Sequence, residues 1–342
     1  MTISRWRAAT AALLLTTSCG AVAASAPIAS ATTCPTPTVT VTSEAQLATA
    51  LATAHPGDSI WLADGTYDGN NQPGSAWRAT TPGTEAAPIW LCGGPGAELT
   101  NDGYQGSYAL HLDGASYWRV SGFTVRWAQK GVVVDASHHV EITGLTVHDL
   151  GDEGIHLRQH TTDSLVSGNT IHSTGHRRDK FGEGVYIGSA QANWNALTGG
   201  QPDRSDRNTV IGNTIFGTTA EPIDIKEGTT VGTVSGNQLD AGSLTEDGGD
   251  SCVDVKGNDW VISGNTCTNS AGDGYQTHRN KLIKLGLGDW GFRAEFTGNT
   301  ATLAAGARNG FWIHDHQYVQ AVVRCNNSVT GGIGFANVTC TP

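Results

Sequence analysis

The sequence predicts an all-β protein, a single-stranded right-handed parallel β-helix. Two repeats and one absence predict it. A glycine-centred motif recurs with a unit of about 22 residues. A second short motif, alternating apolar and polar, lies between its copies. Long amphipathic helical periods are missing from a chain of 342 residues that contains 45 glycines. Short strands at a fixed period, with no helices between them, describe a solenoid whose coils stack on one another.

The chain opens on a leader. Arg5 and Arg7 precede an apolar run through Leu13, Leu14 and Leu15, and "ASA" at Ala29 to Ala31 suits a signal peptidase. Residues 1–31 therefore read as a signal peptide, and 32–342 as one β-helix domain in a secreted protein. The apolar run is too short to span a membrane, and no later segment reads as a span. A lipoprotein anchored at Cys19 is the alternative, which the preceding "TTS" fits poorly. Cleavage leaves six cysteines, an even number that suggests disulfides in an exported chain. Nearest-neighbour pairing gives Cys34–Cys92, Cys252–Cys267 and Cys325–Cys340, one of fifteen connectivities. Without the leader, 18 Lys+Arg face 31 Asp+Glu, a net charge of −13. That argues against nucleic acid as a partner. A monomer is expected.

The first coil is placed at "PGDSIWLADGTYDG", from Pro56. The glycine motif follows as "VSGFTV", "ITGLTV", "VSGNTI", "VIGNTI", "VSGNQL", "ISGNTC" and "FTGNTA", with glycines at Gly122, Gly144, Gly168, Gly212, Gly236, Gly264 and Gly298. The Asn after the glycine, at 169, 213, 237, 265 and 299, forms one column. Stacked amides at a bend bond one another and the turn backbone, a structural role. The tail, with Cys325 and Cys340, closes the far end.

The second motif reads "GVVVD", "GIHLR", "GVYIG", "PIDIK", "CVDVK", "GYQTH" and "GFWIH". Its second and fourth residues point inward, its third and fifth outward. The third positions stack as Val133, His156, Tyr186, Asp224, Asp254, Gln276 and Trp312. The fifth stack as Asp135, Arg158, Gly188, Lys226, Lys256, His278 and His314. Two coils thus place Asp224 over Asp254 and Lys226 over Lys256, and cross-pairing relieves both repulsions. Insertions near 172–183 and 189–207 flank this stripe, with Trp194, Arg177 and Arg178 suited to stacking on sugars and holding carboxylates. A salt-bridge ladder that merely solubilises the surface is the plain reading. The aromatic and His residues along the same stripe favour a groove for an extended polymer.

At these residues the chain resembles the pectin lyase-like β-helix proteins. "GDSIWLADGTYDG" followed by "GTEAAPIWLCG" is similar to the first coils of the chondroitinase B and alginate lyase group. In that group a Glu that serves Ca²⁺ precedes the catalytic Lys by five residues, as Glu221 precedes Lys226. The group's catalytic Arg is Lys256 here, and its second metal Glu is Thr219. "GDSCVDVKGNDWVISGNTCTNSAGDG" is similar to a polygalacturonase stretch, which implies the Cys252–Cys267 bridge and retains Asp250 among the hydrolase carboxylates.

The resemblance implies a polysaccharide lyase cleaving a uronate-containing glycan by β-elimination. Lys226 is the expected base, its pKa lowered by Lys256 and Arg158. Lys256 protonates the leaving group or holds the carboxylate. Asp224, Asp254 and Glu221 either position the lysines or hold Ca²⁺. Arg158, His156, Tyr186, His278, Trp312 and His314 bind an acidic or neutral polysaccharide. Glu221 and Asp250 are the expected Ca²⁺ ligands. The alternatives are a glycoside hydrolase using Asp224, Asp254 and Asp250, or a non-catalytic glycan-binding protein.

Overall fold

A computed structural model describes residues 33–342 apart from 71, 73–75 and 246. The expected leader, 1–31, lies outside the described residues. Each coil contributes one strand to each of three parallel sheets, of 11, 10 and 10 strands. One coil shows the plan, with Leu165–Ser167 in the first sheet, Thr170–His172 in the second and Val185–Ile187 in the third, the groove sheet.

The repeat fixes the register. Val120, Ile142, Val166, Val210, Val234, Ile262 and Phe296 pair in sequence along the first sheet. All are fully buried. Val132, Ile155, Val185, Ile223, Val253, Tyr275 and Phe311 stack likewise beneath the groove sheet. A fully buried apolar side chain of this size stabilises by roughly 1.5–3 kcal/mol, so the stacked columns are what hold the coils together.

The bend between the first two sheets carries the Asn ladder. The glycine before each Asn has φ near +62°, from Gly168 at +62° to Gly298 at +63°, which a side chain would strain. Asn265 donates to Val234 O at 2.9 Å and to Asn299 Oδ1 at 3.0 Å, and accepts from Asn237 N at 3.0 Å. The column runs one rung further than its motif suggested, to Asn327.

The ends are capped, and the first coil starts earlier than expected. Val39–Val41 pairs with Ser59–Leu62, and the helix Glu44–Ala52 lies between them, with Leu47 and Leu51 buried over the coil. Nine residues are too few to show as a long helical period, although Ser43 accepts a capping bond from Gln46 N. At the other end Val322–Val323, Ser328–Thr330 and Gly334–Ala336 add last rungs. Cys34–Cys92, Cys252–Cys267 and Cys325–Cys340 are bonded, so the nearest-neighbour pairing holds.

The outward residues of the groove sheet also keep the expected register: Val133, His156, Tyr186, Asp224, Asp254, Gln276 and Trp312 lie in line. They are not solvent-exposed as expected. All but Trp312 are buried, because they pack on one another and the flanking insertions fold over them.

Candidate active site

Three consecutive groove strands, Val185–Ile187, Ile223–Ile225 and Ser251–Val255, hold the charged cluster. Lys226 Nζ lies 2.5 Å from Asp224 Oδ2 and 5.0 Å from the Tyr186 ring centroid. Lys256 Nζ bridges the two carboxylates, donating to Asp224 Oδ1 at 3.0 Å and to Asp254 Oδ2. His278 Nδ1 lies 2.9 Å from Asp254 Oδ1, and its ring stacks on His314 at 4.0 Å. The cross-pairing expected from the sequence therefore forms.

Burial opposes the charge on Lys226, but Asp224 and Glu183 outweigh it, and the pKa rises well above the ordinary lysine value. Lys256 is raised in the same way by Asp224 and Asp254. This corrects the expectation that Lys256 and Arg158 would lower the pKa of Lys226. The carboxylates are closer than the like charges, and they decide the sign. Burial raises the pKa of Asp254, yet Lys256 and His278 pull it below the usual carboxylate range. Burial, and then Asp224 and Glu183, push the Tyr186 phenol well above 10.

A second column, two residues ahead of three groove strands, was read from sequence only in part, at Glu221. Glu153, Glu183 and Glu221 precede Gly154, Gly184 and Pro222, and the backbone joins them rung to rung, Gly154 N to Glu183 O and Gly184 N to Glu221 O. All three are buried. Lys130 Nζ neutralises Glu153 at 2.9 Å. Burial, with Glu153 and Asp224 beside it, raises Glu183, and burial with Asp224 pushes Glu221 up to about 8. The repeated acidic residue before "GIHLR", "GVYIG" and "PIDIK" was the available signal.

One oxygen each of Glu183, Glu221 and Asp224 lie within 4.8 Å of one another. Glu183 Oε2 is buried with no hydrogen-bond partner. An all-oxygen donor set with an orphaned carboxylate oxygen fits a hard divalent cation such as Ca²⁺. Glu221 belongs to this set. Asp250 does not: it turns to Arg308 and Gln276, and Glu183 stands in its place.

Other expected residues are redirected. Arg158 donates to both oxygens of Asp135, at 2.7 and 3.0 Å, and is buried, so it is not free to grip a uronate. His156 is buried, its pKa held well below 6.5 by burial and by Lys130 and Arg158. Its Nε2 lies 2.8 Å from Gly188 O, and its ring meets Tyr186 edge-on at 4.4 Å. Trp194 is 1% exposed and packs with Leu282 and Trp290 instead of offering a sugar platform. Arg177 pairs with Asp152. His278, His314 and Trp312 do remain partly accessible along the groove. Between the two insertions lies a cavity of about 290 Å³, with Lys130, Glu153, His156, Arg177, Tyr186 and Leu197 in its wall. Tyr186 thus touches both the cavity and the Lys226 cluster.

Stacked coils, a buried Asn ladder and a covered, charged groove define a right-handed parallel β-helix protein with a built site on one sheet. A family profile described as "Right handed beta helix region" matches residues 108–241. Among solved structures, the chain is 32% identical to an alginate lyase from Paenibacillus sp. str. FPU-7, covering 87% of this chain and 98% of that one, with a TM-score of 0.77. The chain belongs to the pectin lyase-like family of right-handed β-helix proteins. At 14% identity it shares the fold of the pectate lyase Pel9A, covering 85% of this chain and 72% of that one, TM-score 0.61. It shares it likewise with an endo-xylogalacturonan hydrolase from Aspergillus tubingensis, 14% identical, covering 88% and 98%, TM-score 0.53. No curated protein sequence matches the chain.

Proposed function

We propose that this chain is a secreted polysaccharide-degrading enzyme, a lyase that cleaves a uronate-containing glycan by β-elimination. The observation that carries the reading is the pair of ammonium groups, Lys226 and Lys256, set beside a protonated tyrosine in a covered groove. The likeness to an alginate lyase over nearly its whole length supports it. The three cysteine pairs suit an oxidising compartment. No helix among the described residues is long and apolar enough to cross a membrane.

β-Elimination moves the C5 proton to a base, forms the C4–C5 double bond and breaks the C4–O bond, with a proton delivered to the leaving oxygen. Lys256 stays charged and draws on the uronate carboxylate, which acidifies C5. Tyr186 keeps its proton and delivers it to the leaving oxygen, so its role goes beyond the binding expected from sequence. Lys226 can take the C5 proton only as the neutral amine, after giving up its own proton. That state becomes accessible when the carboxylates around it are compensated, in part by the protons that Glu183 and Glu221 are disposed to carry. Ca²⁺, held by Glu183 and Glu221 as carboxylates together with Asp224, would supply positive charge in place of those protons. A retaining hydrolase built on Asp224 and Asp254 fits less well, because a general acid needs a raised pKa and Asp254 is lowered.

A panel of polyuronates and neutral glycans tests this reading. New absorbance at the ultraviolet edge from unsaturated uronate ends supports it. Reducing ends without that absorbance would make the protein a hydrolase, and binding without either a lectin-like protein.

A further inference from the structure

We propose that Trp127, with Tyr104 and His176, forms a sugar-stacking subsite at the edge of the groove, one that holds a uronate residue of the glycan away from the point of cleavage. The proposal rests on the lyase reading of the same groove and extends it to a residue that reading does not use.

Trp127 occupies a backbone position that resists it. The turn after the second sheet takes left-handed φ in one coil after another: Asp149 at +51°, Ser173 at +55° and Gly217 at +63°. These three line up with Trp127 through the pairings of Leu150 with Ala128, His148 with His172 and His172 with Phe216. Small polar residues and glycine suit that conformation. Trp127 adopts it at +53°, where a bulky side chain is an outlier. The indole does not go into the core in return. It is 47% exposed, a large aromatic turned to solvent by a strained turn.

The indole is also placed and partnered. The Tyr104 ring lies 4.8 Å from Trp127 and stacks on exposed His176 at 4.7 Å. Gly103, with φ +70°, runs close under the indole, where an added Cβ would sit 3.4 Å from it. Two of the three rings are near neighbours in sequence of residues in the cavity wall. His176 precedes Arg177, Trp127 lies two residues before Gln129, and both Arg177 and Gln129 line the cavity and bond Asp152. Three coil steps, roughly 14 Å at about 4.8 Å each, separate the strand after Trp127 from the strand bearing Lys226. A pyranose offers a face of C–H bonds with positive edges, which an aromatic π-face attracts, so a glycan running along the groove meets a flat surface here.

The test measures affinity against chain length, in the uncleaving Lys226→Ala background, with saturated alginate-derived oligomers from disaccharide to octasaccharide. Trp127→Asn suits the left-handed turn, and an unchanged thermal midpoint verifies the fold. Octasaccharide affinity should fall about tenfold or more in Trp127→Asn, as for truncation of an aromatic anchor, while disaccharide affinity stays the same. Trp127→Phe should retain most of the octasaccharide affinity. Equal octasaccharide affinity with and without Trp127, or no gain in affinity with length, overturns the subsite. Trp127-dependent binding of an oligomer that the unmodified chain never cleaves would uphold the subsite and overturn the lyase reading instead.

Discussion

At the residue scale the site is a contest between burial and pairing. Lys256 bridges Asp224 and Asp254 inside the groove, so removing its charge leaves two buried carboxylates short of a partner. Lys256→Met is expected to lower stability by about 3–5 kcal/mol, read by chemical denaturation, because breaking a buried pair costs far more than the pair contributes. Lys226→Ala should reduce turnover by about 10²-fold or more with a smaller stability loss, since Asp224 keeps Lys256. A variant retaining more than about a tenth of the rate removes Lys226 from the chemistry. The ladder residues themselves were legible in the sequence, because a period-2 strand repeated coil by coil fixes which side chains stack. Their protonation was not. Asp224 raises Lys226 most against burial, and Glu183 adds to it from a position that reaches the cluster only through the fold.

At the element scale the coil is held by its bends as much as by its strands. Asn265→Ala should cost about 1–3 kcal/mol, because it strands the buried amide N–H of Asn237 and breaks the ladder at one rung. A thermal midpoint unmoved by Asn265→Ala would mean that the ladder is ornamental. The strands, bends and disulfides could be read from sequence because each is local or repeats. The insertions could not. Trp194 looked like a sugar platform from its loop position, yet Leu282 and Trp290, far along the chain, bury it. The helix Glu44–Ala52 was missed for its brevity, and Trp127 because nothing in "VRWAQK" announces a left-handed turn.

At the scale of the whole molecule, the groove links charge state to stability and function. Burial lowers the His278 pKa, but Asp254 raises it more, so the net shift is upward. The stability of the His278–Asp254 pair is then fully present below the unfolded His value of about 6.5 and is lost as pH rises through the folded value. Thermal midpoints measured across that range should fall with rising pH, and His278→Ala should flatten the decline. Exhaustive chelation followed by Ca²⁺ re-addition should lower and then restore both activity and thermal midpoint, with Glu183→Gln losing the response. A chelated protein with unchanged activity and midpoint removes calcium from the account.

The central claim is that the groove breaks a glycan by elimination, and product mass tests it most directly. A defined uronate oligosaccharide is digested to completion, and the masses of the paired fragments are summed. Elimination adds no water, so the fragments should sum to the mass of the intact oligosaccharide, with the unsaturated ring on one fragment. Fragments that together exceed the substrate by one water molecule would contradict the account, and the chemistry would then belong to the carboxylates rather than to Lys226 and Tyr186.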